Sequence, residues 1–354
     1  MGNIDKKILL LIGIMGLVIV VLLVIVTVLM VNLKKARKNN RIRRKDDAAE
    51  LNLPENLPPQ NVNAGMSAEP ESEQMKGDET ELTIRPQYND DIENYVIKTA
   101  EGLGLHIGKI HSMGRRESQQ DSFAYSDVEN EAVIREKGIL LIVADGMGGL
   151  ANGAEVSSLI AVSMLQYFDH FMKGDNMAEE LRNMVLYAND EVNKYLGEEQ
   201  LGKCGSTLVA TLIKDHQIYW ISVGDSSIFL CHDNHIERIN PLHNYAQDLK
   251  EMVLRGEITE EEAAAHPKRA ALTSFIGAGT ITHISQNEEP IMFSSGDRLI
   301  LASDGIFGTV SMEEMEEMMR YDVEEAALKL KYLIESKNKR KQDNYTAIIM
   351  EENY

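Results

Sequence analysis

Hydrophobic and polar positions divide the chain into three stretches. Residues 8–31 form an uncharged run of 24, nearly all Ile, Leu, Val, Met or Gly. As a helix such a run rises about 36 Å, enough to cross a hydrocarbon core of about 30 Å. It predicts a short tail over 1–7 and a transmembrane helix over 8–33. The run is too long for a signal-peptide core, and no A-x-A-like site follows it. From about 46 to 91 the periodicity lapses. Pro54, Pro58, Pro59 and Pro70 stand among Asn, Gln and Glu, a composition that predicts a disordered linker.

From residue 95 to 354 the pattern is that of one compact domain. Runs rich in Ile, Val, Leu and Tyr predict strands at 106–112, 138–144, 206–213, 218–223, 228–231, 298–302 and 345–350. Helical stretches are predicted over 153–172, 177–196, 245–254 and 260–265. Gly256 stops the third, and a capping box of Thr259 with Glu262 starts the fourth. Strand groups interrupted by paired helices predict an α+β fold, two packed antiparallel β-sheets flanked by helices in an α-β-β-α sandwich.

Charge changes this picture in two ways. Residues 1–45 carry +9, ten Lys and Arg against Asp5, of a net −20, so the remainder carries −29. Lys34, Lys35, Arg37, Lys38, Arg41, Arg43, Arg44 and Lys45 outweigh Lys6 and Lys7. That asymmetry predicts a single-pass protein of the cell membrane, with residues 34–94 a basic juxtamembrane segment and linker and the domain in the cytoplasm. The acidic body argues against a nucleic-acid partner. The two cysteines, Cys204 and Cys231, form no CxxC, and neither is followed six residues on by Arg. This argues against a zinc or redox framework and excludes a cysteine phosphatase.

The candidate chemistry lies in aspartates at strand ends. An apolar strand runs into Asp145-Gly146-Met147-Gly148-Gly149. The run from Arg298 into Asp304-Gly305 repeats the design. Asp343 precedes the last strand, and Asp121 starts another. Four converging carboxylates repel, each pair by about 3 kcal/mol at about 5 Å and an effective dielectric of about 20. Hard divalent cations relieve that repulsion, and oxygen donors suit Mg²⁺ or Mn²⁺. The close backbone approach that glycine permits makes the Gly146 carbonyl a further candidate ligand. Two such metals lower the pKa of a bridging water and hold it for in-line attack on phosphorus. The competing pattern, a loose GxGxxA from Gly146 to Ala151, would read as dinucleotide binding, but the alternating strand–helix succession is missing.

The ordered motifs resemble the metal-dependent protein phosphatases of the type 2C class, especially bacterial ones, over about 104–350. Those motifs are Arg116-Glu-Ser-Gln-Gln-Asp121, Asp145-Gly-Met-Gly-Gly149, Gly205-Ser206-Thr207, Gly224-Asp225-Ser226, the segment from Arg255 to Thr273, Ser303-Asp304-Gly305 and Asp343-Asn344. The resemblance implies a protein serine/threonine phosphatase with Asp121, Asp145, Asp304, Asp343 and the Gly146 carbonyl on two metals, Mn²⁺ or Mg²⁺. It implies Asp225 at a weaker third metal and Arg116 as the phosphate clamp, with Arg115 the alternative in register. Expected partners are phosphorylated proteins, membrane-associated ones foremost, the lipid bilayer through the N-terminal helix, and a cognate serine/threonine kinase. The alternative is an inactive membrane-tethered phosphoprotein-binding scaffold; the Met-rich stretch 312–319 would offer it a docking face, but core packing is the preferred reading of that stretch. Ser227, where the family usually has Arg, and the stretch Leu242-His243-Asn244 depart from the pattern and put flap contacts in question.

Overall fold

The structure, a computed structural model, describes residues 95–148, 152–174 and 176–353. The predicted transmembrane run 8–33 and the segment 34–94 lie outside the described residues, as do Gly149 and Ala151. Among the described residues no helix is long and apolar enough to cross a membrane.

The strands are β1 (Val96–Ile97), β2 (Leu105–Ser112), β3 (Asp121–Tyr125), β4 (Ile139–Met147), β5 (Gly205–Ser206), β6 (Leu208–Lys214), β7 (Gln217–Val223), β8 (Ser227–His232), β9 (His235–Arg238), β10 (Ser285–Gln286), β11 (Ile291–Met292), β12 (Arg298–Ala302) and β13 (Tyr345–Glu352). The helices are α1 (Glu131–Lys137), α2 (Asn152–His170), α3 (Met177–Gln200), α4 (Tyr245–Leu254), α5 (Glu260–Ala265), α6 (Asp304–Phe307), α7 (Met312–Met318) and α8 (Val323–Ser336). One sheet has the order β1-β2-β13-β12-β8-β9. The other runs β10-β7-β6-β4-β3, with β11 on β7 and β5 on β4. Every pairing is antiparallel. Among the described residues there is thus no parallel βαβ unit of the kind dinucleotide binding requires.

The central strands are apolar at nearly every position because both faces are covered. In β4, Leu140 and Ile142 pack under α2 and α3 with Ile160, Met164 and Leu181. Leu141 and Val143, between them, point the other way, into the layer shared with Leu299, Leu301 and Ile348 of the other sheet. In β12, Ile300 and Ala302 face a third layer with Ala326, Ala327 and Leu330 of α8. The period-2 alternation thus sorts each strand between two cores. Each fully buried Leu, Ile or Val contributes about 1.5–3 kcal/mol.

Several expectations are corrected. The strand into Asp145 does not stop at a turn; β4 carries through Gly146 and Met147, held by β5 at Gly146↔Ser206. Asp304 opens a short helix rather than a turn. Helix α3 runs on to Gln200 across a kink at Gly197, whose φ is +63°. Helices α1 and α8 were not expected. For α8 the stripe Val323, Ala326, Ala327, Leu330 and Ile334, all buried, is the helical spacing by which it could be found. The α4–α5 pair and the Thr259–Glu262 capping box match the pattern. Met315 and Met319 are buried against the outer core, so the 312–319 stretch is packing rather than an open face.

Candidate active site

The two sheets present four strand ends at one edge. Asp121 is the first residue of β3 and lies directly opposite Asp145 of β4. Asp304 follows β12, Asp343 precedes β13, and those strands are hydrogen-bonded neighbours. Four carboxylates from distant parts of the chain therefore meet, close enough for each to act on the others electrostatically.

Two glycines permit the approach. A Cβ on Gly146 would lie 2.2 Å from the Gly153 carbonyl oxygen and 2.6 Å from that of Gln120. A Cβ on Gly305 would lie 1.9 Å from the Asn344 carbonyl oxygen. The short helix that Asp304 opens can thus sit close against the strand that follows Asp343. Asn344 completes the wall. Its Oδ1 accepts from the Gln120 N–H at 2.9 Å, and its Nδ2 donates to the carbonyls of Met113 at 2.9 Å and Ser118 at 3.0 Å. This buried amide ties the loop carrying Arg116 to the start of β3.

Asp121 is buried, and its Oδ2 accepts from the Ser303 hydroxyl at 2.8 Å and the Thr346 hydroxyl at 2.7 Å. Ser303 occupies the N-cap position of α6 yet makes no capping bond with its side chain, since that hydroxyl is turned to Asp121. The other oxygen, Oδ1, is buried with no hydrogen-bond partner. A buried carboxylate oxygen without a partner is costly, and a cation there would satisfy it. The backbone of Asp145 is gripped by the Ser206-Thr207 motif. The Ser206 hydroxyl donates to the Asp145 carbonyl at 2.9 Å, and the Asp145 N–H donates to the Thr207 hydroxyl at 3.2 Å.

Electrostatics carry the same signature. Burial first, and then the neighbouring Asp304 and Asp343, raise Asp121 to about 7 against the stabilising Ser303 and Thr346 bonds. Burial, then Asp121 and Asp304, push Asp145 well above the usual carboxylate range. Asp304 is raised by burial first and then by Asp343, with Asp145 and Arg116 acting in the opposite direction. Asp225 is raised to about 6 by burial and Asp304, and Asn244 Nδ2 donates to its Oδ2 at 3.5 Å. These carboxylates share too few positive charges, and oxygen donors so placed suit hard divalent cations. Among the described residues no three acidic, His or Cys groups close into a compact cage. An open oxygen cluster suits Mg²⁺ or Mn²⁺, which keep much of their water.

Of the two adjacent arginines, Arg116 lies at the cluster. Its Nη2 donates to Asp343 Oδ2 at 2.5 Å, and Asp145 and Asp304 add to the field around it. Arg115 instead bonds Asn338 Oδ1 at 3.1 Å. The departing stretch keeps a structural role. His243 Nδ1 accepts from the Gly224 N–H at 3.1 Å, and its Nε2 lies 2.9 Å from the Ser285 hydroxyl. Together these fix the loop that carries Asp225. Ser227 is buried at the start of β8, opposite Ala302.

The sequence does not show Ser303, Thr346, Thr207 and Asn344 as hydrogen-bonding supports, or His243 as an anchor. Ser303, Thr207 and Asn344 lay inside recognised motifs. Thr346 had no local signal beyond its place two residues into the last strand.

The sequence profile of the family described as protein phosphatase 2C matches residues 108–332. The serine/threonine phosphatase stp of Listeria welshimeri is 27% identical over 244 residues, which is 68% of this chain and 92% of that protein. The crystal structure of the Mycobacterium tuberculosis serine/threonine phosphatase PstP/Ppp superposes with a TM-score of 0.58 at 27% identity, covering 71% of this chain and 99% of that one. The catalytic domain of PstP in complex with two manganese ions gives a TM-score of 0.55 at 27% identity over the same shares. The chain belongs to the protein phosphatase 2C family of metal-dependent serine/threonine phosphatases.

Proposed function

We propose that the chain hydrolyses phosphoserine and phosphothreonine on proteins, with Asp121, Asp145, Asp304 and Asp343 holding a pair of Mn²⁺ or Mg²⁺ ions. The Gly146 carbonyl would serve as a further ligand, and Asp225 would face a weaker third ion. The observation that carries this reading is the unpartnered Oδ1 of buried Asp121 within a cluster of mutually raised carboxylates. When bound, such ions supply water activation at neutral pH and neutralise charge on the phosphoryl oxygens.

The chain's own residues do the rest. Ser303 and Thr346 orient Asp121. Ser206 and Thr207 hold the Asp145 backbone. Arg116, exposed and free to exchange Asp343 for another anion, grips two phosphate oxygens with its planar fork.

The apolar run 8–33 and the basic residues 34–45 support a membrane anchor with the domain in the cytoplasm. Substrates at the membrane, including a cognate serine/threonine kinase, follow from that placement. Protease added to intact spheroplasts should spare the domain and digest it only after lysis; digestion in intact cells would overturn the orientation.

The test of the chemistry is a phosphothreonine-peptide assay on the full chain in detergent. Activity should appear with Mn²⁺ or Mg²⁺ and stop in EDTA. Arg116→Ala should raise KM more than it lowers kcat, because the clamp acts in the ground state as well as the transition state. Full activity in EDTA would sink the metal reading, and an unchanged KM would exclude Arg116 as the clamp.

A further inference from the structure

A cleft of about 310 Å³ opens between the end of β2 and the C-terminal end of α8, lined in part by Arg115, Asn338, Lys339 and Gln342. It shares its walls with the phosphate site. Arg115 precedes Arg116, and Gln342 precedes Asp343. Between them Gly114, at φ +60°, packs so closely that a Cβ would lie 2.2 Å from the Asp343 carbonyl oxygen. The Arg115 N–H donates to the Gln342 carbonyl at 2.9 Å, and its guanidinium donates to Asn338 Oδ1 at 3.1 Å. Lys339 donates to the Gly308 carbonyl, and its charge is felt at Asp304.

Two cations, Arg115 and Lys339, and one carboxylate, Glu335, line the cleft in an acidic body, and further cations follow α8 beside it. Lys337, Lys339, Arg340 and Lys341 fall within five consecutive residues, in a portion of the chain that otherwise carries a large negative charge. Cations just past a helix C-terminus complement its carbonyls, and that accounts for part of the run after α8. It does not account for Arg115, which comes from a different segment and meets the run across the cleft. Glu335, the carboxylate on the wall, is engaged by the Tyr345 hydroxyl at 3.4 Å and by Lys331 at 3.9 Å. Lys337 is taken up by Glu314 and Lys339 by the Gly308 carbonyl, whereas the reaction outlined above uses Arg116 and assigns no part to Arg115.

We propose that this cleft is a subsite for a second anionic group, a carboxylate or a phosphate, on the same substrate protein. The inference rests on the phosphatase reading. The cleft's walls lie one residue from Arg116 and Asp343, and at about 3.8 Å between neighbouring Cα atoms the two anion sites stand a few residue lengths apart, on the order of 10 Å. An extended substrate covers that distance in about two or three residues. The recognised substrates therefore carry Asp, Glu or a second phosphorylated residue within about three positions of the scissile one. The cations are exposed, so the gain is modest and salt-sensitive, about fivefold for one such contact.

The experiment compares phosphothreonine peptides with neutral flanks, with Glu at the flanking positions and with a second phosphoserine, using the full chain in detergent with Mn²⁺. The Glu and phosphoserine arms separate the two sources of charge. The expected result is about fivefold higher kcat/KM for at least one acidic set over the neutral one at low salt, shrinking at 0.5 M salt. In Arg115→Gln and in Lys339→Ser that ratio should fall towards one, and the double variant Arg340→Ser with Lys341→Ser reads the rest of the basic loop. Turnover of the neutral peptide with no preference for acidic flanks would overturn the subsite and leave the phosphatase reading standing. Failure to cleave any of the peptides would bring down the phosphatase reading, and the subsite with it. A preference that persists unchanged in Arg115→Gln and Lys339→Ser would also overturn the subsite. So would absence of preference together with binding to phosphatidylserine vesicles that the double variant abolishes, which would assign the basic loop to lipid.

Discussion

Asp121 and Asp145 stand directly opposite each other across the antiparallel pairing of β3 and β4. Like charges in that position destabilise a sheet, and here Asp304 and Asp343 add to the repulsion. The surrounding structure holds the pair in place: two hydroxyls on Asp121, a serine and a threonine on the Asp145 backbone, and apolar layers on both sides of β4. The fold thus stores an electrostatic conflict at one edge, and the conflict is relieved by cations or by protons.

Asp145→Asn separates those two means of relief. Removing one charge should raise the thermal midpoint of EDTA-treated protein, because a repulsion of up to about 3 kcal/mol per pair is lost. The same change should lower kcat by about a hundredfold or more in Mn²⁺ and abolish stabilisation by the ion. Calorimetry with and without Mn²⁺ reads both effects; a variant no more stable than wild type in EDTA would contradict the stored repulsion.

The pH dependence has a definite sign. Asp121 titrates at about 7 in the folded metal-free chain against an ordinary value of 3.8. A carboxyl raised on folding leaves the folded state most favoured below the ordinary value, and that advantage is lost as pH climbs through the folded one. Metal-free protein should therefore lose stability between about pH 4 and pH 7, and Mn²⁺ should restore more at pH 8 than at pH 5. Thermal melts at the two pH values, with Asp145→Asn as the control for general charge, measure this. Equal shifts at both values would refute it.

Thr346→Val keeps the volume and removes one hydroxyl from Asp121 Oδ2. It also takes a partner from His111, whose Nδ1 lies 3.0 Å from the Thr346 hydroxyl. The expected cost is about 1–3 kcal/mol of stability and a ten- to hundredfold weaker apparent Mn²⁺ affinity, as for other groups that orient a ligand. Denaturant titration and Mn²⁺-dependent activation read the two separately. Unchanged activation by Mn²⁺ would show that Asp121 needs no second hydroxyl.

His243 supplies a second pH dependence with the opposite sign. Burial, and then the facing His283, push it down to about 4, and its Nδ1 accepts a hydrogen bond that protonation would break. A base lowered on folding contributes stability above its ordinary value of 6.5, and that stability is lost as pH falls towards 4. Urea midpoints should decline over that interval. The His243 imidazole resonance should stay neutral down to about pH 5; a midpoint near 6.5 in an NMR titration would rule the account out.

Much of the fold is legible along the chain, because each central strand is buried on both faces and shows as an apolar run ending at glycine or aspartate. The four aspartates are legible for the same reason: the alternation stops where the sheet meets the site. The paired helices follow from their spacing and their caps.

Tertiary structure decided what joins those pieces. Ser303 and Thr346 reach Asp121 across 182 and 225 residues of chain, and no local pattern records a hydrogen bond over that distance. The choice between Arg115 and Arg116 as the residue at the cluster turns on which guanidinium meets Asp343 and which meets Asn338. That is settled by the path of the loop Asn344 ties down, not by residue type. The cleft follows the same rule. Its basic run is visible in the sequence from Lys337 to Lys341, but that it meets Arg115 beside Arg116 is a consequence of packing α8 against β2. Local sequence specifies elements because propensity and burial pattern act over a few residues. A site is specified by contacts between elements, and those exist only once the sheets have stacked.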